Sequence, residues 1–260
     1  MGVVNVTPDS FSDGGLWLDH EDAVAHGRDL AAEGAAILDV GGESTRPGAE
    51  PVAVEEELRR VIPVIERLAQ TGAQLSIDTT KAAVAERALA AGATLVNDVS
   101  ALRFDPALAA VCADAGCDVC LMHMLGEPRT MQRDPRYGDV VAEVRAFLEE
   151  RLAFAVGSGI AEERILLDPG IGFGKTVEHN LTLLRRLDEL VELGRPVVVG
   201  TSRKSFLGKL TGRPQARERA AGTVATNVLA LERGATVFRV HDVAANVEAL
   251  TVAAATLRAP

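Results

Sequence analysis

No apolar run in the 260 residues approaches the roughly 18 that a membrane-spanning helix needs. The N-terminus also lacks the basic start and small-residue cleavage pattern of a secretory signal. Positive charge is in short supply: 27 Lys and Arg face 37 Asp and Glu, a net charge of -10. That balance argues against nucleic acid as a main partner and demands a local basic site for any anionic substrate. Cysteine is scarce, with only Cys112, Cys117 and Cys120. The Cys-x-x-Cys pair has no second pair to complete a zinc site, and it flanks the start of an apolar strand rather than a strand-to-helix turn. All three read as buried small hydrophobes in a reducing cytoplasm. No linker, low-complexity tract or break in composition divides residues 1–260, which predicts one domain. Because MGVVNV already reads as strand, a short segment is expected ahead of it.

Two phosphate-binding patterns are missing as well. A P-loop would place a glycine five residues before Gly174, where Pro169 stands. A dinucleotide fingerprint starting at Gly170 would need glycine at the position of Lys175.

What the chain does have is ILLDPGIGFGKT, residues 165–176. Three apolar residues form a buried strand that Pro169-Gly170 stops. Gly170, Gly172 and Gly174 make a loop of little bulk, suited to lie close against a ligand. A carboxylate, Asp168, is thereby delivered at the tip of a buried strand. A structural turn with a capping aspartate is the plainer alternative for this stretch alone.

The arrangement recurs. GVVNV ends near Asn5, AILDV runs into a polar loop, QLSID ends at Asp78 and TLVND at Asn97 and Asp98. DVCLMH ends at His123, RILLD at Asp168, PVVVGTSRK near Ser202 and Lys204, and TVFRVH at Arg239 and His241. Each strand is followed by a segment long enough for a helical crossover, such as Leu58 to Leu68. With 47% hydrophobic residues to fill a core, eight such units predict an α/β fold, a (β/α)8 TIM barrel with its active site at the C-terminal ends of the strands. An open doubly wound sheet would gather its ligand loops at one switch point instead. Two loops are longer than connection requires, Thr7 to Asp19 and Gly41 to Pro51, and both read as lids over the mouth.

Sorted by charge, the tips form two sectors. Asp78, Asn97 and Asp168 suit a flat heterocycle that presents amino and ring N–H groups, although any one of them could instead cap the next helix. Lys204, Arg239 and His241, with Asn5 adjacent once a barrel closes, form a basic sector. Arg239 and His241 are two apart and share a side of their strand. Thr201, Ser202 and Ser205 stand where the next helix begins, and its N-terminus favours an anion. Together these groups make a diphosphate site. Arg203 reads as a solvated surface charge and His123 as a wall residue rather than an acid–base catalyst. No cluster has transition-metal spacing. Magnesium held by one neutral ligand and substrate phosphate oxygens would leave little trace.

The blocks NVTPDSFSDGG, DVGGESTRPGA, SIDT, NDVS, MHMLGEPRTMQ, DPGIGFGKT, GTSRKSFLG and RVHDV resemble, in order and spacing, those of bacterial dihydropteroate synthases, a pterin-binding family. The likeness runs from Asn5 to Val243. It implies joining of 6-hydroxymethyl-7,8-dihydropterin diphosphate to p-aminobenzoate, with magnesium, through a pterin cation formed when diphosphate leaves. It implies that Asp78, Asn97, Asp168 and Lys204 hold the pterin, with Met122 and Phe173 lining its pocket. Asn5, Arg239 and His241 would hold the diphosphate, Asn5 also touching magnesium. Phe11, Thr45, Arg46, Pro47 and Ser205 would shape the p-aminobenzoate site. A homodimer in the cytoplasm, without membrane or nucleic acid, is implied too. The Ala-rich last helix, Ala244 to Leu257, would pack on the barrel or on a second subunit. Two other readings are a corrinoid-linked methyltransferase on a similar barrel, for which the first lid and the basic tips would be idle, and a pterin-binding paralogue without turnover.

Overall fold

The computed structural model describes residues 1–6, 18–45 and 49–260. Strands and helices alternate along them. β1 (Gly2–Asn5) precedes α1 (Leu18–Ala32), β2 (Ile37–Gly41) precedes α2 (Val54–Leu68), and β3 (Gln74–Asp78) precedes α3 (Ala82–Ala90). β4 (Leu95–Asp98), α4 (Leu108–Ala115), β5 (Asp118–Met122), α5 (Val140–Gly157) and β6 (Ile165–Asp168) continue the pattern. Two short helices, α6 (Val177–Arg185) and α7 (Asp188–Val191), lead to β7 (Val198–Val199). α8 (Ser205–Thr211) and α9 (Ala220–Glu232) lead to β8 (Val237–Phe238), and α10 (Val243–Leu257) ends the chain.

β1 to β6 pair in chain order as one parallel sheet, and β7 pairs in parallel with β8. Parallel bridges Leu167–Val197 and Gly2–Val240 join the two groups. At the second junction Val3 donates its N–H to Val240 at 3.1 Å, and Val240 donates to Met1 at 2.9 Å. The ring therefore closes, and the fold is the (β/α)8 TIM barrel that the eight strand–helix units predict.

Side-chain alternation divides each strand between two environments. Val4, Leu38, Val40, Leu75, Ile77, Val96, Leu121 and Leu167 are buried within one large cluster that includes apolar faces of the helices. A smaller cluster of Leu95, Cys120 and Val198, with Met1, Leu166 and Val237, fills the barrel interior. The three cysteines are free and buried, as expected of small hydrophobes. The start of α6 is capped by side chains. Thr176 and His179 form a capping box at α6, immediately after the glycine loop. The root of the second loop is tied down too. Glu57 on α2 is fully buried and accepts from Thr79 Oγ1 at 2.7 Å, while Lys81 pairs with both Glu57 and Glu43.

Candidate active site

Register sets the floor of the mouth. Asn5 lies beside Gly41, Gly41 beside Asp78 and Asp78 beside Asn97, so three polar tips stand at one level on the inner face. Gly41 leaves room there: a Cβ on it would lie 3.4 Å from that of Asp78. Further round, Met122 lies beside Asp168.

One layer deeper, Asp39 and Ser76 are register partners. Asp39 is fully buried and collects three donors: Ser76 Oγ at 2.6 Å, Asn97 Nδ2 at 3.1 Å and Arg239 Nε at 2.6 Å. Arg239 extends a second nitrogen to Asp78 Oδ2 at 2.8 Å. One guanidinium is thus shared by two carboxylates, and the acidic and basic sectors meet at Arg239 instead of lying on separate flanks. Asn97 gives one of its two amide N–H groups to Asp39, which leaves its oxygen to accept from a ligand and its second N–H to donate.

Asp39 has three donors and Asp78 one. Burial, opposed by Arg239 and reinforced by Asp39, raises the Asp78 carboxyl from 3.8 to about 7. Arg239 is held above its ordinary value because Asp39 and Asp78 outweigh its own burial. Asp39 was not among the residues marked by the sequence reading. The signal available was a carboxylate inside the apolar run AILDV, on the same strand face as Gly41.

The β6 loop supplies the next wall. Asp168 Oδ1 accepts the N–H of Gly170 at 2.7 Å. Burial raises its carboxyl, with Lys204 pulling the other way. Lys204 donates to the carbonyl of Ile171 and lies 4.6 Å from the centre of the Phe173 ring, a cation–π contact. Burial lowers the Lys204 ammonium from 10.5 to about 8, with Asp168 opposing. Two of the loop's glycines are also required by its own packing. A Cβ on Gly170 (φ 65°) would meet the His123 oxygen at 1.8 Å, and one on Gly174 (φ 66°) would meet Leu125 Cβ at 2.5 Å. Met122 and Phe173 share an apolar cluster with Val99, Met124 and Met131, three residues to which the sequence gives no role.

His123 is a wall residue. Its Nδ1 lies 2.8 Å from Lys175 Nζ, and its ring meets Phe147 edge-on at 4.8 Å. Burial, with Lys175 adding to it, lowers its imidazole to about 2, so it stays neutral. Lys175, buried behind the loop, also donates to the Phe173 carbonyl at 3.0 Å.

At the β7 and β8 tips, Ser202 Oγ lies 2.9 Å from His241 Nδ1. Arg203 is paired with Asp242, Nε to Oδ2 at 3.0 Å, so it is not the free surface charge expected. Thr201 turns away into α9, bonding Asn227 and Thr226, while Ser205 is exposed at the start of α8. Thr45 is partly buried. Phe11, Arg46 and Pro47, and most of the first lid, lie outside the described residues. Among the described residues no group of three His, Cys, Asp or Glu could cage a metal ion.

A family model described as pterin binding enzyme matches residues 1–241. Dihydropteroate synthase of Escherichia coli strain K12 is 50% identical over 260 residues, all of this chain and 92% of that protein. The structure of Xanthomonas albilineans dihydropteroate synthase with 4-aminobenzoic acid superposes with a TM-score of 0.94 at 56% identity, covering 100% of this chain and 93% of that one. The Xanthomonas albilineans enzyme in complex with 7,8-dihydropteroate gives 0.91 at 54% identity over the same shares. With its barrel, its carboxylate–arginine mouth and relatives half identical to it along nearly their whole length, the chain belongs to the pterin-binding enzymes, among the dihydropteroate synthases.

Proposed function

We propose that this barrel joins 6-hydroxymethyl-7,8-dihydropterin diphosphate to p-aminobenzoate, giving 7,8-dihydropteroate and diphosphate. The observation that carries the reading is Arg239 bonded to Asp78 at the level of Asn97, in one mouth with Asp168 and Lys204. Asp78, Asn97 and Asp168 offer acceptors to the amino and N–H groups of the pterin, and Lys204 offers a donor. The Met122 and Phe173 side chains bracket its flat face.

The bond from the exocyclic methylene to the diphosphate oxygen breaks first, and its electron pair leaves with the diphosphate. Arg239 and His241 stabilise the charge that gathers there. Asp78 and Asp168 face the positive charge left on the pterin-methyl cation. The amino nitrogen of p-aminobenzoate then forms the new C–N bond and loses a proton. An arylamine is already nucleophilic, so the neutral, wall-bound His123 is not needed as a base. Thr45, Arg46, Pro47, Phe11 and Ser205 are the proposed p-aminobenzoate contacts.

Asn5, at the end of β1 beside β8, fits the single neutral ligand that a magnesium ion shared with diphosphate oxygens requires. When bound, that ion supplies neutralisation of the leaving diphosphate. A cytoplasmic homodimer completes the reading, with light scattering as its check.

The test is diphosphate release measured with both substrates and magnesium, with and without a sulfonamide competitor. Release that depends on p-aminobenzoate and is blocked by the sulfonamide is expected. Tight pterin binding without such release would make the chain a binding module. In direct binding measurements Arg239→Ala should weaken binding of the diphosphate ester far more than of the free hydroxymethyl pterin, and an equal loss would remove Arg239 from the diphosphate site.

A further inference from the structure

Ser202 and His241 touch twice. Ser202 Oγ accepts the backbone N–H of His241 at 3.1 Å and lies 2.9 Å from its Nδ1. Ser202 is 7% exposed, and its hydroxyl has no other partner among the described residues. A hydroxyl carries one proton and two lone pairs. One lone pair is taken by the backbone N–H, so the proton either goes to Nδ1 or stays buried without an acceptor. The second arrangement is disfavoured by roughly five- to a hundredfold in population.

The two nitrogens of neutral imidazole share one proton, and the bond made at one decides the state of the other. We infer that Ser202 is a positioning residue: its hydroxyl donates to Nδ1 and leaves the His241 proton on Nε2, the nitrogen that donates to the departing diphosphate. This rests on the placement of the diphosphate at His241 made above.

The surroundings hold the Ser202 backbone in place. Arg203, next in the chain, sits in the left-handed region at φ 58°, which a side-chain-bearing residue adopts only when its neighbours impose it. Its N–H donates to Thr223 Oγ1 at 3.1 Å, its carbonyl accepts from Arg219 at 2.9 Å, and its guanidinium grips Asp242. On the other side Thr201 is bonded to Asn227 and Thr226. Both neighbours of Ser202, and the residue after His241, are therefore clamped.

The test uses the full chain labelled with 15N-histidine. The chain has five histidines, so the His241 signals are identified by their loss in His241→Gln. Without substrate, an unprotonated Nδ1 and a protonated Nε2 are expected. Ser202→Ala should mix the two tautomers and raise KM for the pterin diphosphate ester about tenfold, with KM for p-aminobenzoate unmoved. Ser202→Thr, which keeps the hydroxyl, should restore both the spectrum and the KM. A proton on Nδ1 of the unaltered chain, as the other tautomer or as imidazolium, overturns the inference, and so does an unchanged spectrum in Ser202→Ala. The expected spectra with an unmoved KM would leave Ser202 in control of the ring and overturn instead the placement of diphosphate at His241.

Discussion

Arg239 and Asp39 stand 200 residues apart in the chain and meet at 2.6 Å, Nε to Oδ2, beneath the mouth of the barrel. The carboxylate is fully buried and the guanidinium side chain is 25% exposed, so one end of the pair is structural and the other opens to solvent. Through Ser76 and Asn97 the same carboxylate orients two further strands. Asp39→Asn should therefore reduce stability by about 3 kcal/mol, because it leaves Arg239 only partly compensated. It should also lower kcat/KM for the pterin ester about a hundredfold by releasing both Arg239 and Asn97. Urea unfolding and steady-state kinetics measure the two effects, and normal values for both would show that Asp39 is not the anchor.

Asp78 is costly to the free enzyme. Its carboxyl is raised from 3.8 to about 7 by burial, so between those values the folded chain holds a proton that the unfolded chain has released. Stability from this group is thus greatest at acidic pH and is lost as pH rises through about 7. Asp78→Asn should raise the melting temperature at pH 8 by about 2–4 °C. Turnover should fall about a hundredfold at the same time. A variant that is both less stable at pH 8 and fully active would contradict the assignment.

The free enzyme's pH profile should be narrow. Asp78 must be ionised to accept from the pterin, and Lys204, lowered to about 8, must keep its proton to donate. The kcat/KM for the ester should fall below about 7 and above about 8, since that ratio reports the free enzyme. Asp78→Asn should abolish the Asp78-dependent acidic limb, and Lys204→Arg should move the basic limb out of range. Limbs that persist in both variants would belong to other groups.

Gly170 and Gly194 share a left-handed backbone but not their surroundings. A Cβ on Gly170 (φ 65°) would strike the His123 carbonyl at 1.8 Å, whereas one on Gly194 (φ 75°) would meet nothing within 4 Å. Gly194→Ala should cost about 1 kcal/mol, the backbone penalty alone. Gly170→Ala should cost about 3 kcal/mol or more and separate the β5 and β6 tips. Equal losses in denaturant unfolding would mean that the loop yields more easily than its packing indicates.

The periodic features were legible in the chain itself. Apolar runs ended by a polar residue marked the strands, and the spacing between them called for helical crossovers and hence a barrel. Asp78, Asn97, Asp168, Lys204, Arg239 and His241 stand out because each lies at or just beyond the end of such a run, where a polar group has no reason to be left unless something meets it. Asp39 escaped because it lies within its run, and an inward-facing carboxylate there looks like any interruption of a pattern. Arg203 looks solvated in the chain because its partner, Asp242, lies 39 residues away, just after the adjoining strand.

The alternation of strand and helix, the end of the barrel that carries polar groups and the chemical types gathered there are all written in the order of residues. Which of those groups share charge is a property of the closed barrel. Strand periodicity is local, whereas the bonds of Arg239 to Asp39 and Asp78 exist only once β8 has closed against β1.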